Sequence, residues 1–342
     1  MKTSFTTEAF RKIADAGINL SEQESYDVFN EIMDGVVSPE LLSAFLCALK
    51  IKGETVDEVV GGAKAMRKKA KFINAGASLP IDTCGTGGDG RNTFNISTTS
   101  AFIIAGAGVA VAKHGNRSAT SKCGSADVLA ELGFNLNVRA EIMEHCLQMH
   151  GIAFLFAPQM HPAMKYASGV RKILGVRTIF NLLGPLVNPA GAVGQIVGVF
   201  DKSKTEFIAE CLRRLGVRRA FVFHSYDGLD EISACAPTKI SELKSGEIKT
   251  YEFNPLNYIE NFGNFSELEG NSPRENAMIT LDVLTCKQQG TARDICILNA
   301  SAGIVASGKV DKFSEAIALA CDSLNSGKAY NKLKTLIEFS KQ

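Results

Sequence analysis

The chain has 342 residues, 45% of them hydrophobic and 21% charged, with a formal net charge of +1. That length exceeds one ordinary core and favours about two domains, in a globular rather than a disordered chain. The near-neutral balance argues against an extended nucleic-acid-binding face, which needs a strong basic excess. The local cluster Arg67, Lys68, Lys69 and Lys71 reads as a solvated helix face. The longest apolar run, residues 101–112, is too short to cross a bilayer, and the first four residues lack the apolar segment of a secretory signal. The nine cysteines form no CxxC pair and fit thiols in a reducing cytoplasm. The five histidines show no zinc spacing.

Residues 1–72 read as a small all-helical domain. Ser21 with Glu24 makes a capping box, and Gly35 sits where that helix ends. Ser38 followed by Pro39 starts the next helix, carried by Leu41, Leu42, Phe45, Leu46 and Leu49 and closed by Gly53. Thr55 with Glu58 is a second capping box, opening a helix from Val56 to about residue 71. Apolar residues near Phe5, Phe10 and Phe45 are candidates for an exposed, self-associating surface.

From residue 79 the pattern changes. Short β-branched or aromatic runs at 80–83, 109–113, 153–156, 196–200 and 220–224 alternate with helical patterns at 100–106, 126–132, 204–215 and 314–323. Such alternation predicts a large α/β domain over 73–342, with a mostly parallel sheet covered on both faces. Residues 242–276 are richer in polar and turn residues and read as loops or a small excursion.

The segment from Asp82 to Thr98 runs from a strand into a loop with four glycines, Gly85, Gly87, Gly88 and Gly90, and then towards a helix. Glycines let backbone amides approach an anion without Cβ interference. Thr86, Thr93, Ser97 and Thr98 add hydroxyl donors, and Ser97 or Thr98 is expected to cap the helix. The pattern is neither a Walker A loop nor a Rossmann fingerprint. The segment from Lys113 to Asp127 follows the next strand and carries Lys113, Arg117 and Lys122 with several hydroxyls. Ser125 is placed to cap the following helix. At the carboxyl edge of an open α/β sheet, two such loops suit a phosphorylated ligand.

Together GTGGDG, TFNIST, KHGNR and SK-x-GSAD, in that order and spacing, resemble the anthranilate phosphoribosyltransferase family. The resemblance covers nearly the whole chain, including Leu298-Asn299-Ala300-Ser301-Ala302. It implies a small helical domain, rejoined by a return segment at about 165–190, and a large α/β domain of the nucleoside phosphorylase/phosphoribosyltransferase type. It implies that 5-phosphoribosyl 1-diphosphate is bound by Gly85, Gly88, Asp89, Thr93, Asn95, Ile96, Ser97 and Thr98. The second loop joins in through Lys113, His114, Gly115, Asn116, Arg117, Ser118, Ala119, Thr120, Ser121 and Ser125. Cys123 stands where the family's serine or alanine is expected.

Further along, Arg171 and Arg177 flank a helix end before Leu183-Gly184-Pro185. As residues, both suit surface or salt-bridge roles. The resemblance instead assigns Arg171 to the anthranilate carboxylate, with Asn116 and Gly85 on the same ligand and His114, His161 and Pro185 lining its path. Asp230-Glu231 reads locally as an exposed acidic turn, because burying two adjacent carboxylates is costly without a cation. The resemblance makes Asp230, Glu231 and Ser97 a magnesium site, although Ser225-Tyr226 departs from the shorter, glycine-containing version expected there. Lys113 and Arg117 are then the electrostatic catalytic candidates, with Mg2+ as cofactor, and the resemblance implies a homodimer. Two alternatives differ in kind. A pyrimidine-nucleoside phosphorylase requires a Lys-x-Ser-x-x-Arg pattern that does not follow HGN here. A non-catalytic nucleic-acid-binding relative fits poorly with the acidic pair and the charge balance.

Overall fold

The computed structural model describes residues 4–118 and 122–342. Four helices open the chain: α1 (Phe5–Ala16), α2 (Glu22–Asp34), α3 (Pro39–Lys52) and α4 (Val56–Lys69). Their starts are where the sequence sets them. Ser21 with Glu24 and Thr55 with Glu58 form reciprocal capping boxes, and Ser38 caps α3 ahead of Pro39.

Glu58 does more than cap. Its fully buried carboxylate accepts from Leu20 N at 2.9 Å, Thr55 N at 2.8 Å and Lys52 Nζ at 3.0 Å. It ties the α1–α2 connection to the start of α4. Phe45 is 0% exposed and belongs to the core, as most apolar residues of these helices do, whereas Phe5 is 54% exposed.

The α/β part runs β1 (Ile81–Gly85), α5 (Ile96–Gly106), β2 (Val111–Gly115), α6 (Ser125–Glu131), α7 (Ala140–His150) and β3 (Ile152–Phe156). Then come α8 (Ala157–Met160), α9 (Lys165–Leu174), α10 (Ile179–Leu183), β4 (Gly194–Gly198), α11 (Lys204–Arg214) and β5 (Arg219–Ser225). The chain closes with β6 (Thr238–Lys244), β7 (Glu247–Phe253), α12 (Pro273–Leu284), α13 (Thr291–Ala306), α14 (Phe313–Asn325) and α15 (Lys328–Ser340). The expected strands are present, with ends displaced by at most two residues. Residues 242–276 hold both the expected loops and a small excursion. The β6–β7 hairpin fills the first part, turning at Ser245 (φ 53°) and Gly246 (φ 84°), and turns with two short 3-10 helices, Pro255–Asn257 and Phe265–Leu268, lead on to α12. Left-handed backbone at two successive turn residues matches the twist of a two-residue hairpin.

The sheet order is β3-β2-β1-β4-β5-β6-β7, parallel through β5 and antiparallel for the last two strands. Successive connections run outward from β1 to β3, then return to β4 beside β1 and run the other way. The carboxyl ends of β1 and β4 therefore mark a topological switch point, where such sheets open a crevice.

Two hydrophobic clusters cover the sheet. On β4 and β5, Ile196, Phe221 and Phe223 face one cluster, while Val197, Ala220 and Val222 face the other. That alternation is the strand period. The second cluster is continuous with the cores of α2, α3 and α4 and takes in Ala167, Val170, Phe180 and Leu183 from α9 and α10. Thus α9 and α10 pack with the N-terminal helices although they lie mid-sequence. No helix among the described residues is long and apolar enough to cross a membrane.

Replacing Glu58 with alanine strands two backbone amides and leaves the Lys52 ammonium without its carboxylate, though still bonded to Asn19 Oδ1 and Gly53 O. Loss of one partner from a buried ionic network costs about 3 kcal/mol, so Glu58→Ala is expected to lower the unfolding midpoint in urea clearly. An unchanged midpoint rejects this role.

Candidate active site

Four strand ends meet at one edge: Gly85, Gly115, Gly198 and Ser225. Gly85 and Gly198 are register partners. A Cβ on Gly198 would lie 1.7 Å from the Asp230 carbonyl oxygen, and one on Gly85 would lie 3.2 Å from Asp230 Oδ2. Only glycine at Gly198 lets the acidic turn after β5 close over β4 and meet the glycine-rich loop after β1.

A cavity of ≈ 680 Å³ opens there. From the first loop and the start of α5 it is lined by Gly85, Gly88, Asp89, Thr93, Asn95, Ile96, Ser97 and Thr98. The β2–α6 connection contributes Lys113, His114, Gly115, Asn116, Arg117, Ser118 and Ser125. His161, Arg171, Pro185, Asp230 and Glu231 complete the candidates. The sequence candidates thus converge, except Ala119, Thr120 and Ser121, which lie outside the described residues.

The helix caps differ from expectation. The α5 helix begins at Ile96, so Ser97 and Thr98 sit in its first turn rather than at its cap. Asn95 holds the cap position without capping, because its side chain donates to Cys123 O at 3.2 Å and accepts from Asn276 Nδ2 at 3.0 Å. Ser125 is likewise the first residue of α6, after Gly124. Its hydroxyl donates to Asn116 O at 3.3 Å. Asp127 accepts from Gly124 N at 2.9 Å and Ser118 N at 3.0 Å, so this carboxylate organises the second loop.

Lys113 is 5% exposed. Its ammonium donates to Thr83 O and lies 3.3 Å from Thr83 Oγ1 and 3.4 Å from Ser97 Oγ. Burial lowers its pKa, and the charge of Asp82 opposes that shift. Burial raises the pKa of Asp82, opposed first by Lys113. Asp82 also accepts from His114 N at 3.0 Å. The pair makes Lys113 a fixed cation in the cavity floor. Arg117 is placed differently, for its guanidinium pairs with Asp127 at 2.9 Å and points along α6.

The opposite wall comes from α9, α10 and the turn at Pro185. Arg171 lies over the Phe180 ring at 5.2 Å, and among the described residues no carboxylate pairs with it. Burial lowers its pKa without removing its charge. His114 and His161 stand edge to face, 5.1 Å between ring centroids. His114 Nδ1 donates to Gly184 O at 3.3 Å, which leaves Nε2 as an acceptor. The Nε2 atoms of both histidines are buried without a partner. Burial, then the neighbouring His161, lowers the His114 pKa to about 3, and burial lowers that of His161 to about 4. Both rings are neutral near pH 7. The Pro185 carbonyl accepts from Gln195 Nε2 at 2.7 Å.

The acidic turn is not a solvated one. Glu231 is 8% exposed, and its Oε1 accepts from Ser97 N at 3.1 Å. Burial first, then Asp230, raises the Glu231 pKa, while burial and Asp89 raise that of Asp230. Asp230 and Glu231, whose charge is disfavoured by burial and by neighbouring carboxylates, suit a divalent cation, which reverses that penalty. Among the described residues no three His, Cys, Asp or Glu side chains form a ready cage. Such sparse protein donation suits magnesium, which keeps water and substrate oxygens as ligands. Ser225 is buried and donates to Pro237 O at 3.0 Å, bracing the turn, while Tyr226 is exposed.

Two contributors lie outside the sequence reading. Asp82 was legible in principle, since a carboxylate inside an apolar strand demands a partner. Arg177, expected at the surface or in a salt bridge, reaches across to donate to Gly88 O and stacks over Phe200 at 4.2 Å. No local signal marks that contact.

Known proteins carry the same arrangement. The Glycosyl transferase family, helical bundle domain, matches residues 7–70, and the Glycosyl transferase family, a/b domain, matches residues 78–330. Fold and cavity thus define a two-part glycosyl transferase. Among curated relatives, anthranilate phosphoribosyltransferase of Desulfosudis oleivorans is 51% identical over 94% of this chain and 95% of its own length. That of Pelotomaculum thermopropionicum is 47% identical over 97% and 96%. The solved Thermus thermophilus enzyme superposes with a TM-score of 0.93 at 38% identity, covering 99% of this chain and 100% of its own. The Saccharomyces cerevisiae enzyme in complex with PRPP and Mg gives 0.90 at 26% identity, covering 99% of each chain. The chain belongs to the anthranilate phosphoribosyltransferase family.

The two neutral histidines have a measurable consequence. An unfolded histidine takes up a proton near pH 6.5, while these rings resist protonation down to about pH 4 or below. Between those limits the unfolded state binds more protons, so stability falls as pH falls, by at most about 1.4 kcal/mol per pH unit per histidine. His161→Gln is therefore expected to lose less stability than the parent between pH 7.5 and 5.0, measured by urea unfolding. Equal losses disprove the assignment.

Proposed function

We propose that this chain transfers the phosphoribosyl group of 5-phosphoribosyl 1-diphosphate to anthranilate, giving N-(5-phosphoribosyl)anthranilate and diphosphate, in L-tryptophan biosynthesis. The observation that carries this reading is Arg171, a cation above an aromatic ring with no carboxylate partner among the described residues, opening on the same cavity as the glycine-rich loop and the acidic turn. A planar carboxylate-bearing ring fits that position, with the guanidinium on the carboxylate.

In the reaction the amine nitrogen forms a bond to ribose C1. The bond from C1 to the diphosphate oxygen breaks with its electron pair, and the amine gives up one proton to the departing diphosphate or to water. The main obstacle is departure of a highly charged group. Lys113 and the loop amides from Gly85 to Gly88 stabilise charge gathering on diphosphate. Asp230, Glu231 and Ser97 would hold Mg2+, which supplies Lewis-acid neutralisation of the diphosphate oxygens when bound. An aromatic amine is neutral at pH 7, so its lone pair is available without a strong base. Arg171, Asn116 and the walls at His114, His161 and Pro185 orient the amine towards C1, and such orientation supplies much of the rate. Gly88, Asp89, Thr93, Asn95, Ile96, Thr98, Gly115, Ser118 and Ser125 line the donor side. Arg117, paired with Asp127, shapes the second loop and acts on charge from a distance.

The same reading includes action in the cytoplasm as a homodimer. No disulfide joins the described cysteines, as a reducing compartment requires. Ile18 and Ile51, 51% and 87% exposed on the N-terminal helical unit, suit a covered face.

Purified protein with magnesium, 5-phosphoribosyl 1-diphosphate and anthranilate is expected to consume anthranilate fluorescence. A folded protein that consumes none and binds neither substrate by calorimetry ends the proposal. Arg171→Ala is expected to raise the KM for anthranilate by roughly 10- to 100-fold, the loss of a charged hydrogen-bond pair of about 1.5–3 kcal/mol, with the KM for the donor within about twofold. A variant that only melts earlier refutes the Arg171 role.

A further inference from the structure

Asn299 lies midway along α13 and is 0% exposed. Helix interiors disfavour asparagine, and a buried amide is costly unless every polar atom is satisfied. Here each is. Oδ1 accepts from Ile232 N at 3.0 Å, and Nδ2 donates to Ile232 O at 2.9 Å and to Ile295 O at 2.8 Å. The last bond fixes the side chain on its own helix. The other two form a closed pairing with the backbone of one residue, the residue directly after Glu231.

The same turn is gripped elsewhere. Ser97 N donates to Glu231 Oε1 at 3.1 Å, and the Asp230 carbonyl packs so closely on Gly198 that a Cβ there would lie 1.7 Å away. Asp227 braces the turn from within, accepting from Leu229 N at 3.2 Å and from Ser233 Oγ at 2.5 Å. On the carboxyl side of the acidic pair, Asn299 pairs with both backbone groups of Ile232, the residue directly after Glu231, while Thr238 Oγ1 accepts from Ser233 N at 3.2 Å one residue further on. A leucine, of the same branched shape though larger, would satisfy the apolar surroundings of α13, where Ile295, Leu298, Ala300 and Ala302 are all buried. What it would not do is hold Ile232.

We infer that Asn299 is a positioning residue for the acidic pair. Its amide fixes the Ile232 backbone so that Asp230 and Glu231 present their carboxylates together to the cation and diphosphate end of the cavity. This rests on the metal role given to Asp230 and Glu231 above. A one-residue twist of the turn would separate the two carboxylates without disturbing the wall at Arg171, which belongs to other elements.

The test uses Mn2+ in place of Mg2+. Binding is followed by the paramagnetic resonance signal of free Mn2+, in the full-length protein with saturating 5-phosphoribosyl 1-diphosphate. Asn299→Leu is expected to weaken Mn2+ binding at least tenfold, with the KM for anthranilate within twofold and a native circular dichroism spectrum. Asn299→Ser guards against a misfolded leucine variant. Its hydroxyl can bond to the Ile295 carbonyl one turn back, as serines in helices do, but does not reach Ile232, so the same weakening is expected. Parental Mn2+ affinity in a folded variant, or equal losses for Mn2+ and anthranilate, overturns the positioning role alone. Failure of the parent protein to bind Mn2+ removes the metal reading and this inference with it.

Discussion

Two consecutive carboxylates, Asp230 and Glu231, are held side by side at the cavity edge, Glu231 buried and Asp230 partly so, and much of the site's construction follows from that. Left to themselves, such groups take up protons or turn outward. Here turning outward is closed, and burial drives both towards protonation unless a cation offsets their charge. The amide of Ser97 holds the Glu231 carboxylate, Gly198 admits the Asp230 backbone at a distance no side chain would allow, and Asn299 pairs with the next residue. Lys113 is the nearest fixed compensation, but it is shared with Asp82. One buried ammonium cannot balance three or four carboxylates. On the proposed function, bound Mg2+ would offset these acids, which accounts for their presence in an anion site.

The sheet topology places this surplus where it can act. At the switch point between β1 and β4, loops diverge in opposite directions and leave a crevice that no crossover covers. On the proposed function, the donor half of the cavity is the sheet edge with the first turns of α5 and α6. The acceptor half is then α9 and α10, which share a hydrophobic cluster with the N-terminal helices. In that reading two substrates with unlike chemistry are met by two packing units. Arg177 bridges them, reaching from the α9–α10 connection to Gly88 and Phe200. Any shift of the helical unit therefore bears directly on the glycine-rich loop.

What was legible in the sequence was what depends on local chemistry. Ser21 with Glu24 and Thr55 with Glu58 announce helix starts because capping is a three-residue event. The glycine and hydroxyl spacing of residues 82–98 and 113–127 announces phosphate because backbone reach and donor density are local too. The misreadings are of another kind. Asn95 holds the cap position of α5 with its side chain turned to Cys123 and Asn276, contacts remote in sequence. The α13 helix has buried residues on every face and so shows no amphipathic stripe. The β6–β7 hairpin sits at the sheet edge with β7 largely exposed, so its polar residues resembled loop. Arg171 read as a surface residue until family resemblance was added, since its meaning lies in the lack of an anionic partner.

Neutral histidines and a buried lysine set the style of catalysis this cavity favours. His114 and His161 donate no proton at pH 7, because their environment strips them of charge, and as bases they are weak. A strong base is in any case unnecessary beside an aromatic amine, whose lone pair is already free. On the proposed function the difficult charge lies on the leaving group, and the fixed dipoles and cations that would face it are the first turns of α5 and α6, the amides after Gly85, and Lys113 pinned to Thr83. None of these would have to reorganise as the bond to diphosphate lengthens, which is what makes preorganised charge effective. In that reading the sheet edge lowers the barrier to departure while α9 and α10 fix the direction of attack. Damage to the first half should appear in the chemical step, and damage to the second in the use of the amine.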